Sequence, residues 1–306
     1  MKILDNRIAS FIILFVVYAL AAALGIVCYI YLPLPYSWLK LLIADIIATV
    51  LTFIFSLIFK NASVYDPYWS VQPLVIIPAF AIIAKEIGWA HILCLAAICI
   101  WGVRLTANWA YTFHGLKHQD WRYTMLHETT GKLYPIVNFL GIHLVPTLIV
   151  YGCTLPAVFL FEKTPHLGTV NAVFFAIFIA VSVFAVILQG TADCQMHAFR
   201  KRKQGGFIRV GVWKYSRHPN YLGEILMWWG IALSCTSAMP QYWYLCAGAF
   251  MNTLLFLFIS IPLADKRQSR KEGFSEYKAQ TRMLLPIKKR VKPSAPLPEN
   301  EQNGFQ

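Results

Sequence analysis

The sequence predicts an all-α fold, a polytopic membrane helical bundle of about seven or eight transmembrane helices with a cytosolic C-terminal helix. Three observations predict it. Only 13% of the 306 residues are charged, about half the ~25% of a soluble domain. Hydrophobic residues make up 58% of the chain, and its mean hydropathy is +0.55. Finally, Ile8–Leu32, Leu39–Phe59 and Val170–Leu188 are apolar runs of the roughly 20 residues that a hydrocarbon core requires.

The first run follows Lys2 and Arg7 and contains the Ala-rich segment Ala19–Ala23, which gives it the look of a signal peptide. A cleaved signal has an apolar core of about 7–15 residues, and this one runs on to Leu32, so the reading is an uncleaved anchor. Further spans are predicted at Pro67–Ala84, Trp89–Phe113, Leu133–Phe161 with Pro146 inside, Tyr221–Cys235 and Tyr242–Leu263. A single membrane domain is expected over 1–290, with its C-terminal half at about 170–287. The segment 291–306, rich in Pro, Glu, Gln and Asn, has little to bury and reads as a disordered cytosolic tail.

Charge placement orients the bundle. Lys and Arg gather before the first span, in 115–132, in 200–217 (Arg200, Lys201, Arg202, Lys203, Arg209, Lys214 and Arg217) and after Asp265. The alternate connections hold only Lys85 and Lys163. With eight spans, the positive-inside rule puts both termini and every basic loop in the cytoplasm, in the endoplasmic reticulum of a eukaryote or the inner membrane of a bacterium. This rule and attraction to anionic membrane lipids account for the net charge of +13 without any nucleic-acid partner. The seven cysteines lie mainly in apolar spans without paired spacing, which predicts neither a disulfide framework nor a metal site.

Polar residues inside spans are costly and mark function by default. Asp45, Arg104 (with Asn108 one turn on) and His143 are such residues. Each has a structural alternative: an ion pair for Arg104, a satisfied core position for His143. On the sixth span Gln189, Asp193 and Arg200 fall within about 40° of one another at 100° per residue, placing an amide, a carboxylate and a guanidinium on one face. The decapeptide "YSRHPNYLGE" at 215–224 then opens the next helix. Pro219 suits a first turn and Asn220 an N-cap. Capping leaves Arg217, His218 and Glu224 unexplained, whereas bare N–H groups and the helix dipole make an anion site, above all for phosphate.

These residues carry a resemblance. "SRHPNYLGE", preceded by Gln189, Asp193 and Arg200, is similar to the C-terminal half of the steroid 5α-reductase family. The whole chain resembles most closely its bacterial-type membrane branch, the domain-of-unknown-function 1295 group, through "NASVYDPYWSVQP" (61–73), "WGVRLTANW" (101–109) and "HQDWRY" (118–123). The resemblance implies an NADPH-dependent reductase of a carbon–carbon double bond conjugated to a carbonyl, in a steroid or other lipid that enters from the bilayer. It implies cofactor contacts at Gln189, Asp193, Arg200, Arg217, His218, Asn220 and Tyr221, with Lys266 and Arg270 as phosphate partners in a tail that closes over the cofactor. Arg122 and Arg104 join the cofactor mouth on the same ground, with local ion pairing and interfacial anchoring as the alternative for the "HQDWRY" stretch. The family's proton-donating pair is an acid and a tyrosine from early helices, but Trp101 stands at that tyrosine's position. Tyr65, Asp66 and Tyr68 are therefore the candidate catalytic donors, with Glu224, if protonated, the other; an interfacial aromatic anchor is the alternative for the tyrosines.

Two other functions fit parts of the pattern. Isoprenylcysteine and phospholipid methyltransferases share "RHPxYxG" and bind S-adenosylmethionine, but carry an acidic pair after the following span where this chain has Asp265-Lys266-Arg267. A non-catalytic lipid-binding protein of the same fold would keep the basic face and lose the proton donor.

Overall fold

The computed structural model describes residues 2–202 and 205–286; Lys203 and the expected disordered tail at 291–306 lie outside them. The described residues form helices and no strand, save an isolated bridge between Ser216 and Arg282.

Each helix begins where the sequence supplies a start. Asn6 accepts from the Ala9 amide at 3.1 Å and opens α1 (Arg7–Tyr31). This helix packs through Leu14, Val17 and Ala21 against its neighbours. After α2 (Ser37–Ile58), Asn61 accepts from the Ser63 amide at 2.8 Å and turns the chain through a short 3-10 stretch, Ala62–Tyr65, into α3 (Tyr68–Ile83). α4 (Trp89–Thr112) returns, and Asp120 caps α5 (Trp121–Thr130) by accepting from the Arg122 amide at 2.9 Å.

The stretch predicted as one span with Pro146 inside is one continuous helical span that contains a π-helical turn. A π-helical turn, Asn138–Leu144, feeds α6 (Val145–Lys163). Proline has no N–H for the carbonyl four residues back, and the Val145 amide reaches to the Leu140 carbonyl instead. α7 (Thr169–Lys201) is 33 residues long. α8 (Pro219–Ala238) runs back along it, antiparallel. A methyl on Gly223 would meet the Ala185 carbonyl oxygen at 2.7 Å, and one on Gly230 the Phe178 carbonyl oxygen at 2.7 Å; only glycine lets these backbones approach so closely. α9 (Pro240–Gln268) and the short α10 (Phe274–Gln280) complete the chain.

Among the described residues seven helices are long and apolar enough to cross a membrane, which makes this an integral multi-pass membrane protein. The count expected from sequence included Tyr221–Cys235. That helix, α8, is not among the seven; its first two turns carry Asn220, Tyr221 and Glu224, and it is buried against α7.

The basic segments converge on one end of the bundle. Lys117 pairs with Asp5 at 2.9 Å, which joins the loop after α4 to the N-terminus. The Arg267 guanidinium sits 4.4 Å from the Trp121 ring, and Arg217 meets Asp265 at 3.3 Å. The expected C-terminal helix is present at this end, where Tyr277 donates to the Trp213 carbonyl and Phe274 packs edge-on to Phe207 at 5.2 Å.

Candidate functional site

Glu224 lies in the second turn of α8 and is buried. Its Oε1 accepts from the Trp69 indole at 2.9 Å and the Trp228 indole at 3.1 Å; its Oε2 accepts from the Trp101 indole at 2.9 Å and the Gln189 amide at 3.0 Å. A carboxylate offers about four lone-pair positions, and N–H groups fill all four here. Glu224 is thus an acceptor at the junction of α3, α4, α7 and α8. The network continues: Gln189 accepts from Arg104, and Arg104 pairs with Asp193 at 2.7 Å. The shared face of Gln189 and Asp193 was legible in the sequence, as was Arg104 as an oddity. The three tryptophans were not, because nothing in their spacing points to a common acceptor.

Arg200, two turns beyond Asp193, is exposed at the end of α7. Lys266 and Arg270 are exposed as well, and among the described residues none of the three has a carboxylate within 4.0 Å.

The phosphate site expected at "SRHPN" is built differently. The N-cap of α8 is His218, with no side-chain cap bond, and Asn220 sits inside the helix, half-buried, so Asn220 is not the cap. Arg217 and His218 are buried and committed within the protein. Arg217 bonds Asp265 at 3.3 Å and the carbonyls of Thr281 and Lys278, while His218 bonds Asp265 at 3.0 Å. Lys278 reaches the same carboxylate at 3.3 Å. The Arg217 and His218 amides bond the carbonyls of Arg282 and Met283 at 3.0 and 3.2 Å. Asp265 thus fastens the C-terminal segment over the start of α8, a role that its sequence position did not reveal. Tyr221 stacks on His218, with ring centroids 5.3 Å apart, and packs on Phe256 at 4.9 Å.

Arg122 is likewise paired locally, with Asp120 at 2.8 Å, and Tyr123 donates to Asp66 at 2.7 Å. Burial alone would raise the Asp120 pKa, but the Arg122 charge and hydrogen bonds outweigh it and hold the carboxyl below its ordinary range. Asp66 therefore anchors the 118–123 loop.

A cavity of about 240 Å³ opens between α1, α2 and α3. Apolar side chains line nearly all of it, including Ala21, Gly25, Leu41, Ala48, Ile76 and Phe80. Ile30 and Ile83 at its rim are 60% and 63% exposed, as lipid-facing residues are. Its polar wall is Asp45, Tyr68 and Gln72. The Tyr68 hydroxyl donates to Asp45 at 2.8 Å, and the Gln72 amide donates to the other carboxylate oxygen. Tyr65 stacks behind Tyr68 at 5.1 Å, but its hydroxyl bonds Thr147 at 2.8 Å and it is not part of the lining. Of the four candidate donors, only Tyr68 reaches the cavity. The other member of the pair is Asp45, which the sequence marked as an intramembrane acid without indicating a partner. His143 is fully buried, with Nδ1 on the Asn138 carbonyl at 2.9 Å. Among the described residues no cluster of His, Cys, Asp and Glu is suited to a metal.

An uncharacterized protein of Schizosaccharomyces pombe is 24% identical over 197 residues, which cover 55% of this chain and 56% of that protein. The chain therefore spans little more than half the length of that curated relative. No solved structure matches. The family model described as a protein of unknown function, DUF1295, matches residues 52–281. That stretch runs from the end of α2 through α10 and takes in Tyr68, Glu224, Arg217 and Asp265, and over three quarters of its length this chain belongs to the DUF1295 family.

Proposed function

We propose that this protein is an NADPH-dependent reductase, embedded in the membrane, of a carbon–carbon double bond conjugated to a carbonyl in a steroid or other lipid. The observation that carries the reading is the Tyr68–Asp45 pair on the wall of an apolar cavity whose rim faces lipid. An apolar enone reaches such a cavity from the bilayer, and a tyrosine backed by an acid is a hydrogen-bond donor for its carbonyl. The resemblance to steroid 5α-reductases, which pair an acid with a tyrosine, points the same way.

The fit to a dinucleotide rests on the donor set. NADPH carries roughly four negative charges, which call for guanidinium and ammonium groups. Arg200, Lys266 and Arg270 supply them on the basic end, exposed and without carboxylate partners among the described residues. The α8 N-terminus has no side-chain cap, and Arg104 and Arg217 each keep a buried Nε without a partner. On this reading the basic end lies in the cytoplasm, and Arg200, Lys266 and Arg270 hold the phosphates.

The bound cofactor supplies a hydride from the nicotinamide C4 to the β-carbon of the enone. The electron pair of the double bond moves onto the carbonyl oxygen, and Tyr68 stabilises that oxyanion by transferring its hydrogen bond from Asp45 to it. Gln72 keeps Asp45 in place, and Asp45 holds the Tyr68 hydroxyl at the cavity wall until the substrate carbonyl takes over its hydrogen bond. A proton from water returns to the α-carbon and completes the saturated ketone.

Methyl transfer from S-adenosylmethionine is the rival, and the acid after the following span, Asp265, is committed here to Arg217, His218 and Lys278. A thermal-shift series in detergent against NADPH, NADH and S-adenosylmethionine tests the reading, followed by NADPH consumption with a 3-oxo-4-ene steroid and an α,β-unsaturated fatty ketone. Stabilisation by NADPH above NADH is expected. Stabilisation by S-adenosylmethionine alone overturns the reading, and no response to any of them favours the non-catalytic lipid binder.

A further inference from the structure

The cavity beside Tyr68 is a long groove with its polar groups gathered at one end. Its α3 wall runs from Tyr68 to Ile83, the full helix, a span of about 22 Å at ~1.5 Å of rise per residue. α1 lies alongside in the same direction: the Tyr18 ring is 6.0 Å from Tyr68, and about three turns on the Tyr29 ring is 5.9 Å from Phe80. Tyr68, Gln72 and the Asp45 carboxyl they share occupy the end nearer the start of α3. Tyr18, at that same end, spends its hydroxyl on the Val64 carbonyl at 2.9 Å. Beyond Gln72 the α3 wall is apolar as far as Ile83, and Gly25, Ile26 and Ile30 line the groove from α1.

Small side chains make the room. Ala22 and Gly25 on α1, Ala44 on α2 and Ala79 on α3 all line the cavity. α1 and α2 already touch at Gly25, where an added methyl would meet the Ala44 carbonyl oxygen at 3.5 Å and the Ala48 methyl at 3.7 Å. A bilayer is as apolar as the groove, so a lipid gains little hydrophobic energy by entering; what the groove offers is packing along a fixed path. A compact ring ketone held at Tyr68 leaves the far half unfilled and forfeits the contacts of its lining. An extended chain fills that half and runs out between the exposed Ile30 and Ile83.

We infer that the far half of the cavity is a tail subsite, and that the substrate is an enone at the end of an extended hydrocarbon chain in preference to a compact ring ketone. This rests on the reductase reading and names the lipid class that the reaction takes. The carbonyl at Tyr68 fixes one end of the molecule, and the groove directs the chain away from the basic end, where α1 starts at Arg7 beside the Lys117–Asp5 pair. The cofactor phosphates and the apolar tail then leave the reacting carbons in opposite directions. Ala79 lies about 16 Å along α3 from Tyr68, and its small side chain is what lets a chain pass.

Octadec-3-en-2-one and hex-3-en-2-one carry one reacting group on a long and a short chain, and a 3-oxo-4-ene steroid is the ring comparator. NADPH consumption by the full chain in detergent is measured with each. The wild type is expected to use the long enone with a higher kcat/KM than the steroid. Ala79→Phe sets a ring across the groove beyond the reach of the short chain. It is expected to raise the KM for the long enone relative to the short one by at least about tenfold, within the range of an overpacked site. General damage would change both enones together and leave that ratio unmoved. If Ala79→Phe fails to fold, Ala22→Leu narrows the same groove from α1 and decides. An unmoved ratio in a folded variant, or a wild type that prefers the steroid, overturns the tail subsite while the reductase reading stands. No NADPH consumption with any of the ketones, together with no stabilisation by NADPH, overturns both.

Discussion

Tyr68 and Trp69 are neighbours in sequence, yet α3 sends them to opposite sides: the Tyr68 hydroxyl bonds Asp45 at 2.8 Å, and the Trp69 indole bonds Glu224 at 2.9 Å. About 100° separates successive residues on a helix, so one turn of α3 serves both the apolar cavity and the buried Glu224 carboxyl. On the proposed reaction α3 is the wall shared by the substrate and the cofactor. Pro73 and Pro78 lie deeper in the same helix, so the donor sits in its first, intact turn.

Tyr68→Phe keeps the ring and its stacking on Tyr65 and removes only the hydroxyl. With an enone that turns over, the expected loss is about 100-fold or more in kcat, the scale of a positioned general acid. NADPH affinity should change by less than about twofold. Tyr65→Phe, which loses only the bond to Thr147, should retain most of the activity. Equal losses in the two variants would move the donor away from Tyr68.

The membrane class and the converging basic loops were legible, because apolar run length and charge placement report directly on burial. What the sequence could not reveal was which side chains share a partner. Asp265 is one acid among cations in "ADKRQSRK", and only the fold brings Arg217 and His218 to it from 47 or more residues away. The pairing of Arg217, His218 and Arg122 with carboxylates was hidden for the same reason: a sequence shows positive charge but not its neutralisation.

Asp265→Asn tests the fastening role. The substitution keeps the shape and leaves Arg217 and His218 buried without their carboxylate. Breaking one side of a buried ion pair costs about 3 kcal/mol, and the expected readout is faster proteolysis of the 265–286 segment together with a lower melting temperature. Unchanged protease resistance would show that the Tyr277 and backbone bonds suffice to hold the segment.

Asp120 gives the fold an acid-sensitive loop. Its pKa is depressed in the folded protein, where burial opposes but the Arg122 charge and hydrogen bonds prevail. A depressed carboxyl contributes stability that is present above its unfolded pKa and lost as pH falls through the folded value. Acidification from about pH 5 to about pH 2, through and below the ordinary carboxylate value, should therefore loosen the 118–123 loop, read as a change in Trp121 fluorescence. Asp120→Asn should abolish that pH dependence, and persistence of the transition in this variant would assign it to another carboxylate.

Arg200 and Arg217 separate binding from architecture. Arg200 is exposed and unpaired among the described residues, so Arg200→Ala should weaken NADPH by about tenfold, in the range of a charge-assisted phosphate contact, with no change in melting temperature. Arg217 is buried and bonds Asp265, Thr281 and Lys278, so Arg217→Ala should lower the melting temperature first and weaken the cofactor only through the displaced tail. Arg217→Lys keeps the charge but not the planar fork, and should recover little of the lost stability. If Arg217→Ala instead weakens NADPH at full thermal stability, Arg217 acts on the phosphate directly and the tail is held by Tyr277 and the Ser216–Arg282 bridge.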